Sequence, residues 1–260
     1  MIRTGIPPHP ASPVLARDVA PGVHLLSHAH VNLILIDDDD DGVTLVDTAF
    51  PDTWPHLLTA LRAIGRTPDD VRAVVLTHGH FDHVGSAARA ARQLGVPVHV
   101  HPGDAYIARH PYSHRRERTP FAYPLRHGRA IPVVAAMAAA GALRVEGVDA
   151  VADLAAGPLD VPGRPVVIPT PGHTDGHVAL HLPDRDALIT GDALVTLDPY
   201  TGRTGCRIVA GAATADSGRA LRSLAALEEI DARIVLPGHG APWTNGIRAA
   251  VAAARAVGPS

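Results

Sequence analysis

An α/β (α+β) fold, a four-layer αβ/βα sandwich of two mixed β-sheets flanked by helices, is predicted by three features of the sequence. Short β-rich apolar runs gather in two halves of the chain. Each half carries helices of its own, and no linker or internal repeat divides the 260 residues. The expectation is a single domain over 1–260, long enough to bury a substantial core.

The elements follow from local pattern. Residues 1–22 are a Pro-rich leader with Pro7, Pro8, Pro10, Pro13 and Pro21. Runs at 23–26, 31–36 and 43–46 read as strands, the last two joined by an acidic turn at 37–42. The five aspartates Asp37 to Asp41 read as a solvated hairpin tip. Leu57, Leu58, Leu61 and Ile64 have helical spacing, so 54–64 is a helix that stops at Gly65. Pro68 and Asp69 start a turn, 71–77 is a buried-type strand, the Ala-rich 85–94 is a helix closed by Gly95, and 96–100 is a strand. The second half repeats this logic, with strands at 166–168, 178–182, 187–190 and 233–236 and helices at 217–230 and 247–257. Between the halves, 103–163 holds a polar, aromatic run (Tyr106, Tyr112, Phe121 and Tyr123 among His110, His114, His127, Arg115, Arg116 and Arg118) and an Ala-rich helix at 132–140. Such a stretch is too long for a plain connection and reads as an insertion forming a substrate pocket or lid.

Composition excludes several classes. With 23 basic and 26 acidic residues the charge is nearly balanced, which argues against nucleic-acid binding. All the basic residues are Arg, so lysine Schiff-base and P-loop chemistry are out. Cys206 is the only cysteine, which leaves no internal disulfide and no Cys-rich zinc site. No run reaches the roughly 18 to 20 apolar residues that span a bilayer, and 1–22 lacks the apolar core of a secretory signal. The expectation is a cytoplasmic protein with a small-molecule substrate, no nucleic-acid or membrane partner, and a homodimer left open.

The chemistry is carried by histidine, of which there are 17. His78-Gly79-His80-Phe81-Asp82-His83 closes the 71–77 strand. In extended chain, i and i+2 point the same way, so His78 and His80 reach one metal together. The turn into the next helix redirects Asp82 and His83 toward a second. Three more pieces, Thr170-Pro171-Gly172-His173-Thr174, Gly191-Asp192 and Pro237-Gly238-His239-Gly240, each follow a predicted strand and open into a Gly-containing turn.

This ordered set resembles the metallo-β-lactamase superfamily, from about Val23 to Trp243. The resemblance implies a dinuclear site in which His78, His80 and His173 hold one metal, Asp82, His83 and His239 the other, and Asp192 bridges them. The all-imidazole and carboxylate donors suit two Zn²⁺ per chain and tolerate Fe or Mn. It further implies a metal-dependent hydrolase that turns a bridging hydroxide on an ester, thioester or lactone carbonyl. Asp82 would be the catalytic carboxylate, orienting the hydroxide and passing its proton to the leaving group. Asp47 matches the superfamily's acidic residue beneath the metals, where it would accept a hydrogen bond from a ligand imidazole; capping a turn is its other reading.

Departures narrow the branch. Asp192 and the absent signal count against a secreted β-lactamase. About twenty residues follow His239, which leaves no room for the helical domain of glyoxalase II enzymes. Acyl-homoserine lactonases place a Tyr three residues after the bridging Asp, where Val195 stands; Tyr200 is the nearest candidate. Gly191-Asp192-Ala193-Leu194 and Gly202-Arg203-Thr204 echo the one-iron persulfide dioxygenases, which keeps a sulfur dioxygenase as an alternative, beside a non-catalytic metal-binding protein. The remaining histidines, His177 among them, read as strand and turn positions. His110, His114 and His127 could face the substrate, and Arg115, Arg116 and Arg118 could grip a substrate carboxylate or form a solvated face.

Overall fold

Strands that are apolar at consecutive positions have two faces to bury. The protein meets that demand with two sheets packed face to face and helices outside both. The computed structural model describes residues 12–120 and 123–260; Pro7, Pro8 and Pro10 of the leader and Phe121 of the insertion lie outside the described residues.

The first sheet has seven strands in chain order. An antiparallel meander of β1 (Val14–Ala20), β2 (Val23–His28), β3 (Val31–Asp38) and β4 (Gly42–Val46) continues in parallel through β5 (Val71–Val75), β6 (Val98–Val100) and β7 (Ala152–Asp153). The crossovers carry α1 (Trp54–Ala63), α2 (Phe81–Val84) and α3 (Ala87–Leu94), and the insertion carries α4 (Ala105–Arg109), α5 (Tyr123–Arg126) and α6 (Ile131–Ala139).

The second sheet begins with β8 (Gly157–Pro158), β9 (Val166–Pro169), β10 (Val178–Leu182) and β11 (Ala187–Gly191). A separate ribbon of β12 (Val195–Leu197) and β13 (Thr204–Arg207) follows, then α7 (Ser217–Glu228), β14 (Ile234–Pro237) and α8 (Ile247–Val257). The strand order is β14-β11-β10-β9-β8, and β11 and β14 are its parallel pair.

The period-2 alternation of strand side chains sorts the core into three layers. On β3, Leu33 and Leu35 face α1 and α3, while Ile34 and Ile36 face the other sheet. On β10 and β14, Val178, Leu180, Ile234 and Leu236 meet them between the sheets. Leu188 and Val235 point outward to Leu224, Leu227 and Val251 on α7 and α8. The predicted four-layer sandwich of mixed sheets is therefore the observed fold.

Some elements differ from expectation. Residues 14–20, read as part of the leader, form the edge strand β1. Asp18 sits at φ 52° inside a register shift between Ala16 and Ala20, so the bulge erases the alternation that marks a strand. Two-residue strands β7 and β8 lie within 103–163 and carry the chain from one sheet to the other; strands so short leave no periodic trace. At the acidic hairpin, Asp39 to Asp41 are exposed as expected, while Asp37 is anchored by Arg66 at 2.7 Å and Asp38 by Arg185 at 3.1 Å. Among the described residues no helix is long and apolar enough to cross a membrane.

Leu61 is fully buried against the first sheet. Leu61→Ala is expected to lower stability by about 2–5 kcal/mol in urea unfolding, whereas Thr59→Ala on the exposed face of α1 changes it by less than about 0.5 kcal/mol.

Candidate metal centre

Because β4 and β5 run parallel, and β11 and β14 do too, their C-terminal ends fall along one rim. Backbone bonds stitch the sheets there: the Val178 N–H donates to the Thr77 carbonyl and the Asn32 N–H to the Gly238 carbonyl, at 2.9 and 2.8 Å. His78 and His80 follow β5, His173 lies between β9 and β10, Asp192 follows β11, and His239 follows β14. All seven predicted residues, with Asp82 and His83 on α2, meet at this rim. Donor atoms within 4.8 Å of one another form three groups: His78, His80 and His173; His78, His83 and Asp192; Asp82, His83 and His239. Among the described residues, every such group draws on these seven.

The local backbone explains the spacing. His80 is extended (φ −70°, ψ 153°) and helix begins at Phe81, so the chain switches period inside the motif. His78 and His80 project as strand neighbours, and Asp82 and His83 project from a helical turn. Gly238 is required by close approach, since a Cβ there would overlap Asp192 Oδ1 and His83 Cε1.

Hydrogen bonds around the cluster fix which nitrogen each ring presents. Asp47, held at φ 59° just past β4, accepts the Thr77 N–H on Oδ1 and both the Thr77 hydroxyl and His83 Nδ1–H on Oδ2, each at 2.8 Å. With its only proton given to Asp47, the Thr77 oxygen accepts His78 Nδ1–H at 3.0 Å. The Thr214 hydroxyl donates to the Val209 carbonyl and accepts His173 Nδ1–H at 3.1 Å. His239 Nδ1–H donates to the His30 carbonyl at 2.9 Å. Four rings thus turn Nε2 toward the cluster. The second reading of Asp47, a turn cap, gives way to this bond to His83.

Buried Nε2 of His78, His80, His83 and His239, and Oδ1 of Asp192, have no hydrogen-bond partner. Orphaned buried polar atoms cost about 1–3 kcal/mol each, and here they converge. Nδ1 of His80 and Nε2 of His173 are 3.0 Å apart. Asp192 reaches donors of both outer groups, with Oδ1 3.6 Å from His83 Nε2 and Oδ2 3.5 Å from His173 Nε2. Converging imidazole and carboxylate lone pairs without thiolate fit borderline divalent cations.

Electrostatics divides the rings. Burial and neighbouring imidazoles push His78 and His80 well down, and burial brings His173 to about 4 despite Asp192. Burial also opposes charge on His83, but Asp47, Asp192 and Asp82 outweigh it and hold that ring at about 9. Asp192 and Asp82 raise His239 well above the ordinary range in the same way. Burial works against both carboxylates, yet His83 and His239 keep Asp82 and Asp192 below the usual range. Without metal, the protons on His83 and His239 therefore stand among three buried carboxylates, Asp47, Asp82 and Asp192.

Several supporting residues escaped the sequence reading. His177, kept neutral by burial, accepts the Asp192 N–H on Nε2 at 3.0 Å. Asp104, at the head of the insertion, accepts from the Gly79 N–H, the Thr174 hydroxyl and the Gly176 N–H. It clamps the His80 loop to the His173 loop. Its donors lie 25, 70 and 72 residues away, a separation that leaves no local signal.

The insertion residues are placed unevenly. His114 packs its ring 4.2 Å from His80, and its Nδ1 faces the Pro111 carbonyl at 3.3 Å. His110 and His127 pair instead with Tyr106 and Tyr123. Arg115, Arg116 and Arg118 are exposed, and Arg115 pairs with Asp175 at 3.6 Å.

Two adjoining His/Asp donor groups on the rim of an αβ/βα sandwich define a metal-binding protein. The family model of the metallo-beta-lactamase superfamily matches residues 27–239, and the chain belongs to that superfamily. It is 27% identical over 240 residues to the probable metallo-hydrolase YflN of Bacillus subtilis, covering 88% of this chain and 87% of that one. Among solved structures, the metallo-beta-lactamase family protein TTHA1429 of Thermus thermophilus is 28% identical with a TM-score of 0.62, over 89% of this chain and 77% of its own. TTHA1623, solved in a di-iron-bound form, is 26% identical with a TM-score of 0.59, over 92% and 96% of the two chains.

Two outcomes are expected. Asp47→Ala frees the His83 ring and lowers metal affinity about 10- to 100-fold in chelator competition. A His83 pKa of about 9 leaves that ring protonated at pH 7, so metal must displace its proton. Affinity then rises with pH up to about 9, and calorimetry in buffers of different ionisation enthalpy registers proton release.

Proposed function

We propose that the protein is a dinuclear metal-dependent hydrolase of ester, thioester or lactone carbonyls, with zinc as the metal and 103–163 lining the substrate's approach. The observation that carries this reading is the pair of donor groups joined by one carboxylate, His78, His80 and His173 on one side, Asp82, His83 and His239 on the other, and Asp192 within 3.6 Å of both. These residues would hold the two cations. Bound there, they would bring a water's pKa toward neutrality and polarise a carbonyl.

The chain's own groups supply the rest. Asp82 is 6% exposed, more than any other of the seven, so its carboxylate is the one a small molecule reaches first. As a carboxylate it would take the proton of the attacking water and pass it to the departing alkoxide or thiolate. The water oxygen joins the carbonyl carbon, the C–O or C–S bond breaks, and an acid and an alcohol or thiol leave. His177 and Asp47 hold Asp192 and His83 still while this happens. The name of YflN, a probable metallo-hydrolase, supports the same reaction class.

Elemental analysis of the purified protein is expected to give close to two zinc-type metals per chain. Asp192→Ala is expected to lose one of them and at least about a hundredfold in kcat/KM on a lactone, thioester and ester panel. Full turnover in that variant would overturn the shared-carboxylate mechanism, and one iron per chain with O₂ consumption would assign an oxygenase instead.

A further inference from the structure

Five of the six large apolar side chains that stand exposed among the described residues belong to the insertion: Tyr106, Tyr112, Ile131, Val134 and Leu143. Soluble proteins rarely gather exposed apolar surface without a use for it. Three of the five, Tyr112, Val134 and Leu143, line one cavity of about 180 Å³ together with Phe81, Met137 and Tyr200.

The cavity adjoins the metal centre. Phe81 stands between His80 and Asp82 in the chain and stacks on Tyr112, their ring centres 5.9 Å apart. Two residues beyond Tyr112, His114 packs on His80 at 4.2 Å. Tyr200 and Pro199, a few residues past Asp192 in the chain, complete the lining of the cavity. Its floor is Met137 on α6, anchored by Val133, Ala140 and Phe50.

We propose that this cavity is the acyl subsite, taking an apolar acyl or aryl group of about six carbons from the ester or thioester cleaved at the adjoining centre. The proposal rests on the hydrolase reading above. Size commits the occupant: a cavity of roughly 150 Å³ takes a benzene ring, and 180 Å³ is too small for a helix or strand of a protein partner. Chemistry agrees, since an apolar cavity beside a polar centre orients a substrate that is apolar at one end and reactive at the other.

The test uses the zinc-loaded protein and aryl esters with acyl chains of two to twelve carbons. Each buried methylene is worth about fourfold, so kcat/KM is expected to rise roughly 250-fold over the four methylenes from acetyl to hexanoyl and to level off or fall beyond about eight carbons. Ala138→Phe, on an exposed helical position that lines the cavity, is expected to cut the hexanoyl-to-acetyl ratio at least about tenfold. A flat chain-length profile overturns the subsite and leaves the hydrolase reading intact. Should no ester, thioester or lactone be cleaved, the hydrolase reading fails, and calorimetry of hexanoate against acetate decides the cavity. Both carry the same headgroup, so tighter hexanoate binding that Ala138→Phe removes supports the subsite, and equal binding overturns it. Self-association or vesicle binding that Leu143→Glu abolishes would give the face to a second copy or a membrane and also overturn it.

Discussion

The centre depends on one carboxylate that touches no metal-facing atom. Asp47 accepts three hydrogen bonds at the end of β4 and through them sets the orientation of His83 and, by way of Thr77, of His78. A neutral imidazole offers one lone pair, and the partner of the other nitrogen decides which. By committing Nδ1 of each ring to an acceptor on the rim, the fold presents Nε2 inward before any cation arrives. Thr214 and the His30 carbonyl do the same for His173 and His239, so rings from different strand ends obey one rule.

The same rim explains why so much charge can be buried. Two carboxylates deep in a protein are unfavourable unless paired, and here the protons on His83 and His239 pair them. The other three rings stay neutral under burial. Cation binding exchanges those protons for metal charge, and the orphaned nitrogens gain partners that no side chain supplies. Asp104 and His177 complete the frame from outside by tying three loops together, which keeps the donors converged.

Around this rigid centre the insertion supplies a different kind of surface. Its helix α6 rests on Phe50 and Val31 at the rim, and beside its exposed arginines it holds five of the six exposed large apolar side chains among the described residues. A fixed reactive centre with an adjustable wall is how one fold serves many substrates. The wall here is aromatic and aliphatic, lined by Phe81, Tyr112, Val134, Met137, Leu143 and Tyr200.

Much was legible in the sequence because it is encoded by near neighbours. The strands 31–36 and 178–182 declared themselves by apolar runs, and the H-x-H-x-D-H segment stated its own geometry through the switch from period 2 to helical period at Phe81. The edge strand β1 stayed hidden because its bulge at Asp18 breaks that pattern, and Asp104 and His177 because their partners are remote in sequence. Local pattern was enough to suggest the two-sheet architecture and the candidate ligand segments, and the resemblance to the superfamily ordered them into one set. Which nitrogen each ring presents and where the apolar wall stands were left to the folded chain. Those features depend on contacts between strand ends that meet when two sheets pack together.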